Sequence, residues 1–308
     1  METTISKEQK FSKTVHREKK TQTLKKVSSQ TILYIILTVF AVISVFPFIF
    51  MIFSSLMSET QYNEFENFSD MIPRPIVWEN YYHAFTKKQA GGMTFSKALL
   101  NTLIVAGSST FLSMILLIVT AFAFARLEFK GKNIIFSILL ATMMIPGELF
   151  TITNYVTVTK LGLQNTLQAL IWPFMVSVYY IYLLRNNFKQ IPEELYKAAK
   201  VDGVSDNKYL WRVMVPLASP TLISIFILKI ISVWNSYIWP QLINKNRQFQ
   251  LLSNWMASSG QPSTGDITDI IIPIKMAAAV IITLPLLILF IFFRKYIMRG
   301  VSRSGIKG

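Results

Sequence analysis

The sequence predicts an all-α membrane protein with six transmembrane helices and a short cytoplasmic helix in the loop between spans four and five. Three observations predict it. Of the 308 residues, 52% are hydrophobic, and they gather into long runs instead of scattering as they would around a soluble core. Six of those runs approach or exceed the ~20 helical residues needed to cross a hydrocarbon core. The Lys and Arg residues fall mainly on alternate connecting segments, as topology signals do.

Residues 1–30 form a basic tail with eight Lys or Arg and three acids, a composition that favours disorder and attraction to anionic lipid. Residues 31–298 hold the membrane domain, and 299–308 form a short second tail. The first span covers about 31–53 and reads as a permanent helix, because no small-residue cleavage site follows it. The others cover about 99–125, 134–152, 166–184, 217–239 and 270–293. Pro47, Pro146, Pro173 and Pro285 lie inside these runs, where neighbouring helices must satisfy the backbone groups they free.

Counting cations by segment orients the chain. The two tails and the loops after spans two and four hold 22 Lys and Arg, whereas the opposite loops hold seven. Both termini are therefore expected in the cytoplasm. The net charge of +15 needs no nucleic acid to explain it. With no cysteine, thiolate metal sites and disulfides are excluded. The two histidines, His16 and His83, lie outside the apolar runs, so neither a metal nor a cofactor is expected in this chain.

The longest internal cytoplasmic loop contains "IPEELYKAAKVDGVSDNKYLWRVMVPLASP", residues 191–220. Pro192 suits a helix start, and Glu193 and Glu194 suit its first turn. Leu195, Ala198, Ala199 and Asp202 recur at helical spacing, which predicts one small-residue face. Gly203 permits a turn, and a second helical segment leads to Pro216 and span five. The pattern fits either a helix docking on a soluble partner or an ordinary interfacial helix.

In span five, Lys229 costs about 2.5–3.5 kcal/mol to insert at the membrane centre. Ser232, Trp234, Asn235 and Ser236 cluster beside it, and Trp239 continues the polar face. This face either lines a translocation path or contacts a partner. Alternatively, Lys229 caps carbonyls of a broken helix or snorkels.

The 191–220 stretch resembles the EAA loop of ABC importer permeases, patterned as Glu-Ala-Ala, three residues and Gly, with a later aliphatic-x-Pro. Ala198, Ala199, Asp202, Gly203 and Pro216 stand at matching places, while Lys197 replaces the leading glutamate. "AFAFARLEFKGK", "VWNSYIWPQLI" and the final "GIKG" resemble the carbohydrate branch, particularly the smaller permease of maltose-type importers, over about residues 30–308. The resemblance implies a bacterial inner-membrane subunit that moves an oligosaccharide by alternating access. Its implied partners are a second, different permease, two ATPase subunits docking the loop at Glu193 and Glu194, and an extracytoplasmic sugar-binding protein. It also implies that the loop between spans five and six reaches that protein, with Asn254, Trp255, Ser258, Ser259 and Gln261 as candidate contacts.

The residues agree that the chain is no enzyme. No G-x-x-x-x-G-K-[ST] occurs, and no paired carboxylates sit near a span. An ion-coupled transporter would want acids within the apolar cores, and the six runs hold only Glu148, a helix-end charge at the outer end of span three. A permease for glycerol phosphate stays open, although the first outer loop is nearly charge-balanced.

Overall fold

The computed structural model describes residues 30–86, 93–246, 248–258 and 271–302, with no side-chain detail for 297–302. Helices dominate throughout. α1 (Gln30–Ser55), α4 (Phe95–Arg126) and α15 (Ile272–Ser302) are long and strongly apolar. Two short helices, α2 (Glu59–Asn63) and α3 (Glu79–Thr86), lie between α1 and α4.

The other expected spans are interrupted. Span three divides into α5 (Lys132–Thr142) and α6 (Leu149–Lys160), separated at the Pro146–Gly147 turn. Span four divides into α7 (Leu167–Ile171), a 3-10 turn over Trp172–Phe174, and α8 (Val178–Gln190), with a 46° bend. α9 (Glu193–Val201) and α10 (Asp206–Tyr209) follow, then a π turn over Leu210–Met214 and α11 (Val215–Leu217). The chain turns by 81° into α12 (Ser219–Trp234), and α13 (Ile238–Ile243) completes span five after a break at 235–237. α14 (Leu252–Ser258) precedes α15. The apolar runs located these segments, but continuous helices over 134–152, 166–184 and 217–239 do not form. Proline removes one ladder donor at each break.

α4 organises the interior, because its residues enter all three apolar clusters. Leu117, Ala121 and Phe122 pack with Leu184, Phe188, Met214 and Ile225. Phe95 and Ala98 pack with Trp234, Trp255 and Ala277. Val105 packs with Leu170, Trp239 and Ile243. Small residues on α4 (Ala106, Ser109, Thr110, Ser113) are buried, which lets α8 and α12 approach closely.

The outer surface is apolar. α1 exposes Ile35, Phe40, Ile43 and Phe48, and α15 exposes Leu287, Ile291 and Phe292. Such faces are stable against lipid or another apolar subunit, not against water.

Candidate functional site

α9 stands at the end of α8 with none of its residues fully buried. Glu193 and Glu194 occupy its first turn and Lys200 its last, so charge follows the helix dipole. Lys197 pairs with Glu193 at 3.2 Å, an exposed contact worth a few tenths of a kcal/mol. The helix stops in a Schellman turn. The Val204 amide donates to the Ala199 carbonyl at 2.9 Å, and the Gly203 amide donates to that of Lys200 at 3.1 Å. Gly203 adopts φ +70°, and a Cβ there would meet open space, so its conformation is the reason for glycine.

A polar clamp fastens α9 to α10. The Tyr196 hydroxyl donates to Asp206 Oδ1 at 2.8 Å, and Lys200 Nζ approaches the same oxygen at 2.7 Å. The Lys200 bond, then that of Tyr196, hold the Asp206 carboxyl below its usual range. Burial, reinforced by that carboxylate, pushes the Tyr196 phenol up.

The expected small-residue face divides in two. Ala199 turns inward with Tyr196 and Val204 against the α4–α8–α12 cluster. Leu195, Ala198 and Asp202 face outward with Val201, which is 88% exposed. Consecutive helical residues point 100° apart, so Ala198 and Ala199 take opposite duties. Pro216 is the second residue of the short α11, one element ahead of the span it was expected to open.

The ends of α4 and α8 are tied beside this loop. Arg126 Nη2 donates to the Phe188 carbonyl at 3.0 Å and also to that of Ile191. Arg185 Nε donates to the Phe124 carbonyl at 3.1 Å, and its guanidinium lies 3.8 Å from the Phe136 ring centroid. Two arginines thus satisfy carbonyls at helix ends and bind α4 to α8.

The bend in span four carries its own braces. Pro173 has no N–H for the Ala169 carbonyl, and the Trp239 indole donates to it at 2.9 Å. Beyond the break, Lys229 Nζ donates to the Phe174 carbonyl at 2.6 Å, and Ser113 Oγ donates to that of Met175 at 2.5 Å. Lys229 is buried, and its carbonyl bond matches the capping alternative. Trp234 is also buried, Ser236 is partly buried, and Ser232 and Asn235 are exposed. Span five repeats the device. Pro240 frees the Ser236 carbonyl, to which Ser253 Oγ donates, and Asn254 Nδ2 donates to the Tyr237 carbonyl at 2.9 Å.

That bond changes the reading of the outer loop. Asn254 and Trp255 are almost wholly buried, and Trp255 stacks edge-on against Phe95 at 5.2 Å. As placed, they brace and pack the outer end and offer a partner little surface. Ser258 is partly exposed, while Ser259 and Gln261 lie outside the described residues. Trp239 and Ser113 were missed as braces, although a proline four residues beyond Ala169 signals one orphaned carbonyl.

The described residues thus hold three helices long and apolar enough to cross a membrane, two bent pairs and an exposed loop helix. Residues 117–303 match the family model for the binding-protein-dependent transport system inner membrane component, and the chain belongs to that family. It is 30% identical over 271 residues to the arabinooligosaccharides transport system permease protein AraQ of Halalkalibacterium halodurans, covering 87% of this chain and 93% of the relative. It is 28% identical to the diacetylchitobiose uptake system permease protein NgcG of Streptomyces coelicolor, covering 87% and 86%. It is 27% identical to the sn-glycerol-3-phosphate transport system permease protein UgpE of Yersinia pestis, covering 76% and 83%. The crystal structure of a bacterial ABC transporter involved in importing the acidic polysaccharide alginate contains a chain of similar fold. The TM-score is 0.76 at 22% identity, covering 86% of this chain and 95% of that one.

Proposed function

We propose that this chain is one permease subunit of an ATP-driven importer for a carbohydrate of the oligosaccharide class, delivered by an extracytoplasmic binding protein. The names of AraQ and NgcG and the alginate transporter support the cargo class. UgpE keeps glycerol phosphate as a second reading. Six crossings follow if α1, α4, α5–α6, α7–α8, α12–α13 and α15 each span once, with both termini cytoplasmic. The absence of cysteine makes this testable by labelling single introduced cysteines from either side.

The observation that carries the mechanism is the two-sided construction of α9. Its outward row, Leu195, Ala198 and Val201, is open to a partner, while Tyr196 and Ala199 are packed on the core of α4, α8 and α12. A separate ATPase subunit seated on the outward row would pull on that core when ATP draws two such subunits together. The bent spans behind it would then exchange between inward- and outward-open arrangements. A second, different permease and a second ATPase complete the assembly. Ser232 and Asn235 are suited to the path or the permease interface.

The test compares Gly203→Ala with Gly203→Asp in the reconstituted complex with loaded binding protein. Both place a Cβ at the same positive φ, a strain of roughly 1–2 kcal/mol that Asp bears no worse than Ala, and that Cβ meets open space. Loss of stimulated ATP hydrolysis and transport in Gly203→Asp alone is the expected result. Equal turnover by both variants would remove the docking role.

A further inference from the structure

A second polar site lies at the outer end of span five. A cavity of about 250 Å³ opens there between α13, the α13–α14 connection and α14. Its lining includes Tyr237, Gln241, Asn244, Lys245, Gln250 and Asn254. That volume corresponds to about eight waters at liquid density, which limits an occupant to one small ring.

The amides are built in one orientation. Asn244 Nδ2 donates to the Phe249 carbonyl at 2.9 Å. Asn254 Nδ2 donates to the Tyr237 carbonyl at 2.9 Å and to Gln241 Oε1 at 3.1 Å. Rotating either amide would set oxygen against a carbonyl oxygen, so these bonds dictate which end is which. Gln250 Nε2 donates to Ser258 Oγ at 2.8 Å. Asn244, Gln250 and Asn254 are each more than nine-tenths buried. Yet Asn244 Oδ1, Gln250 Oε1 and Asn254 Oδ1 receive no hydrogen bond from the described residues. Buried acceptors are normally satisfied, so three beside one cavity call for a donor beyond the described residues.

We infer that this cavity is a subsite for one hydroxyl-rich ring, the terminal unit of the carbohydrate as it leaves the binding protein. The inference rests on the carbohydrate reading above and adds a place where this subunit meets the cargo. Small shifts of the amides would present acceptors to sugar O–H groups. Tyr237, partly exposed at the break in span five, supplies an aromatic face for sugar C–H groups, and Lys245 adds a charged donor at the rim. Because Asn254 also holds the Tyr237 carbonyl, an occupant would touch the brace of that break.

The first variant fills the cavity without cutting any of these bonds, and the second removes one of them, the Asn254 donation to Gln241 Oε1. Ala257 lines it and is exposed, so Ala257→Phe projects a ring into the space. Assembled importer in lipid nanodiscs, without binding protein, is titrated with L-arabinose, N-acetylglucosamine and glycerol 3-phosphate. Saturation-transfer NMR reads binding. Wild type is expected to show transfer to at least one sugar, and Ala257→Phe to weaken it at least tenfold while basal ATPase activity stays unchanged. Gln241→Leu, an exposed lining change, is the second variant and is expected to weaken the same signal. No sugar signal in wild type, or equal signals in all three proteins, overturns the subsite and leaves the cavity to water. A variant that loses affinity for the binding protein while keeping the sugar signal overturns it in favour of a protein contact. Transport distinguishes the two claims. Sugar uptake by an importer whose cavity binds none defeats only the subsite, whereas uptake of glycerol 3-phosphate alone defeats the carbohydrate reading as well.

Discussion

Trp239 and Pro173 should be energetically coupled across the bend of span four. Trp239→Phe removes the indole N–H that serves the Ala169 carbonyl at 2.9 Å, in a region where Ala169 is wholly buried. An orphaned buried carbonyl costs about 1–3 kcal/mol in soluble proteins. Measured hydrogen bonds within membranes average about 0.6 and reach about 1.7 kcal/mol. About 1 kcal/mol is therefore expected from the lost bond, plus a packing loss from the smaller ring against Phe174. Pro173→Ala supplies a backbone N–H that can serve Ala169 itself. The indole bond is then redundant, while the packing loss remains. The double-mutant cycle cancels the packing loss and isolates a coupling of about 1 kcal/mol, read from reversible denaturation of the assembled complex in mixed micelles. Additivity within about 0.3 kcal/mol, the ordinary error for independent sites, would refute the claim that the indole substitutes for the donor proline lacks.

Three further outcomes follow from the same contacts. Lys229→Met removes a buried charge whose insertion costs about 2.5–3.5 kcal/mol and a carbonyl bond worth about 1.5–3 kcal/mol. Thermal stability of the complex should stay near wild type and transport within about tenfold, equivalent to about 1.4 kcal/mol; a larger transport loss in a stable complex would assign Lys229 to the path. The Asp206 clamp should be insensitive to pH across the cytoplasmic range. Its folded-state carboxyl is depressed, so its stabilisation is complete above the unfolded value of about 3.9 and is lost as pH falls through the lower folded value. Lys200 is raised, chiefly by its bond to Asp206, so its share is complete below its unfolded value near 10.4 and is lost only as pH rises through the higher folded value. Hydrogen exchange of α9, corrected for intrinsic rate, should stay flat from about pH 5.5 to 9, and a step within that window would contradict the assignment. Asp206→Asn should speed exchange in α9 without altering α4, and unchanged protection of α9 would show that the clamp does not hold it.

Much of this architecture was legible along the chain. Hydrophobic runs located the main helical segments, and Pro192, the two glutamates and Gly203 marked the limits of α9. The face of α9 was less legible, because Leu195, Ala198, Ala199 and Asp202 satisfy helical spacing equally well whether Ala199 points in or out. Tyr196 settles that choice by reaching Asp206 and the core. The burial of Asn254 and Trp255 was also hidden. Trp and Asn suit a sugar-binding loop as well as a brace, and only the approach of Phe95 and the Tyr237 carbonyl decides between them.

By itself the sequence determined the class, the number of apolar runs and the charge asymmetry of the segments between them. These depend on composition and local spacing, which the membrane reads one segment at a time. Tertiary structure decided how the broken spans are held. Pro173 states that a carbonyl is freed, but the donor that reaches it, Trp239, lies 66 residues away in sequence. Long-range partnership depends on how α4, α8 and α12 pack, and spacing along the chain does not encode it.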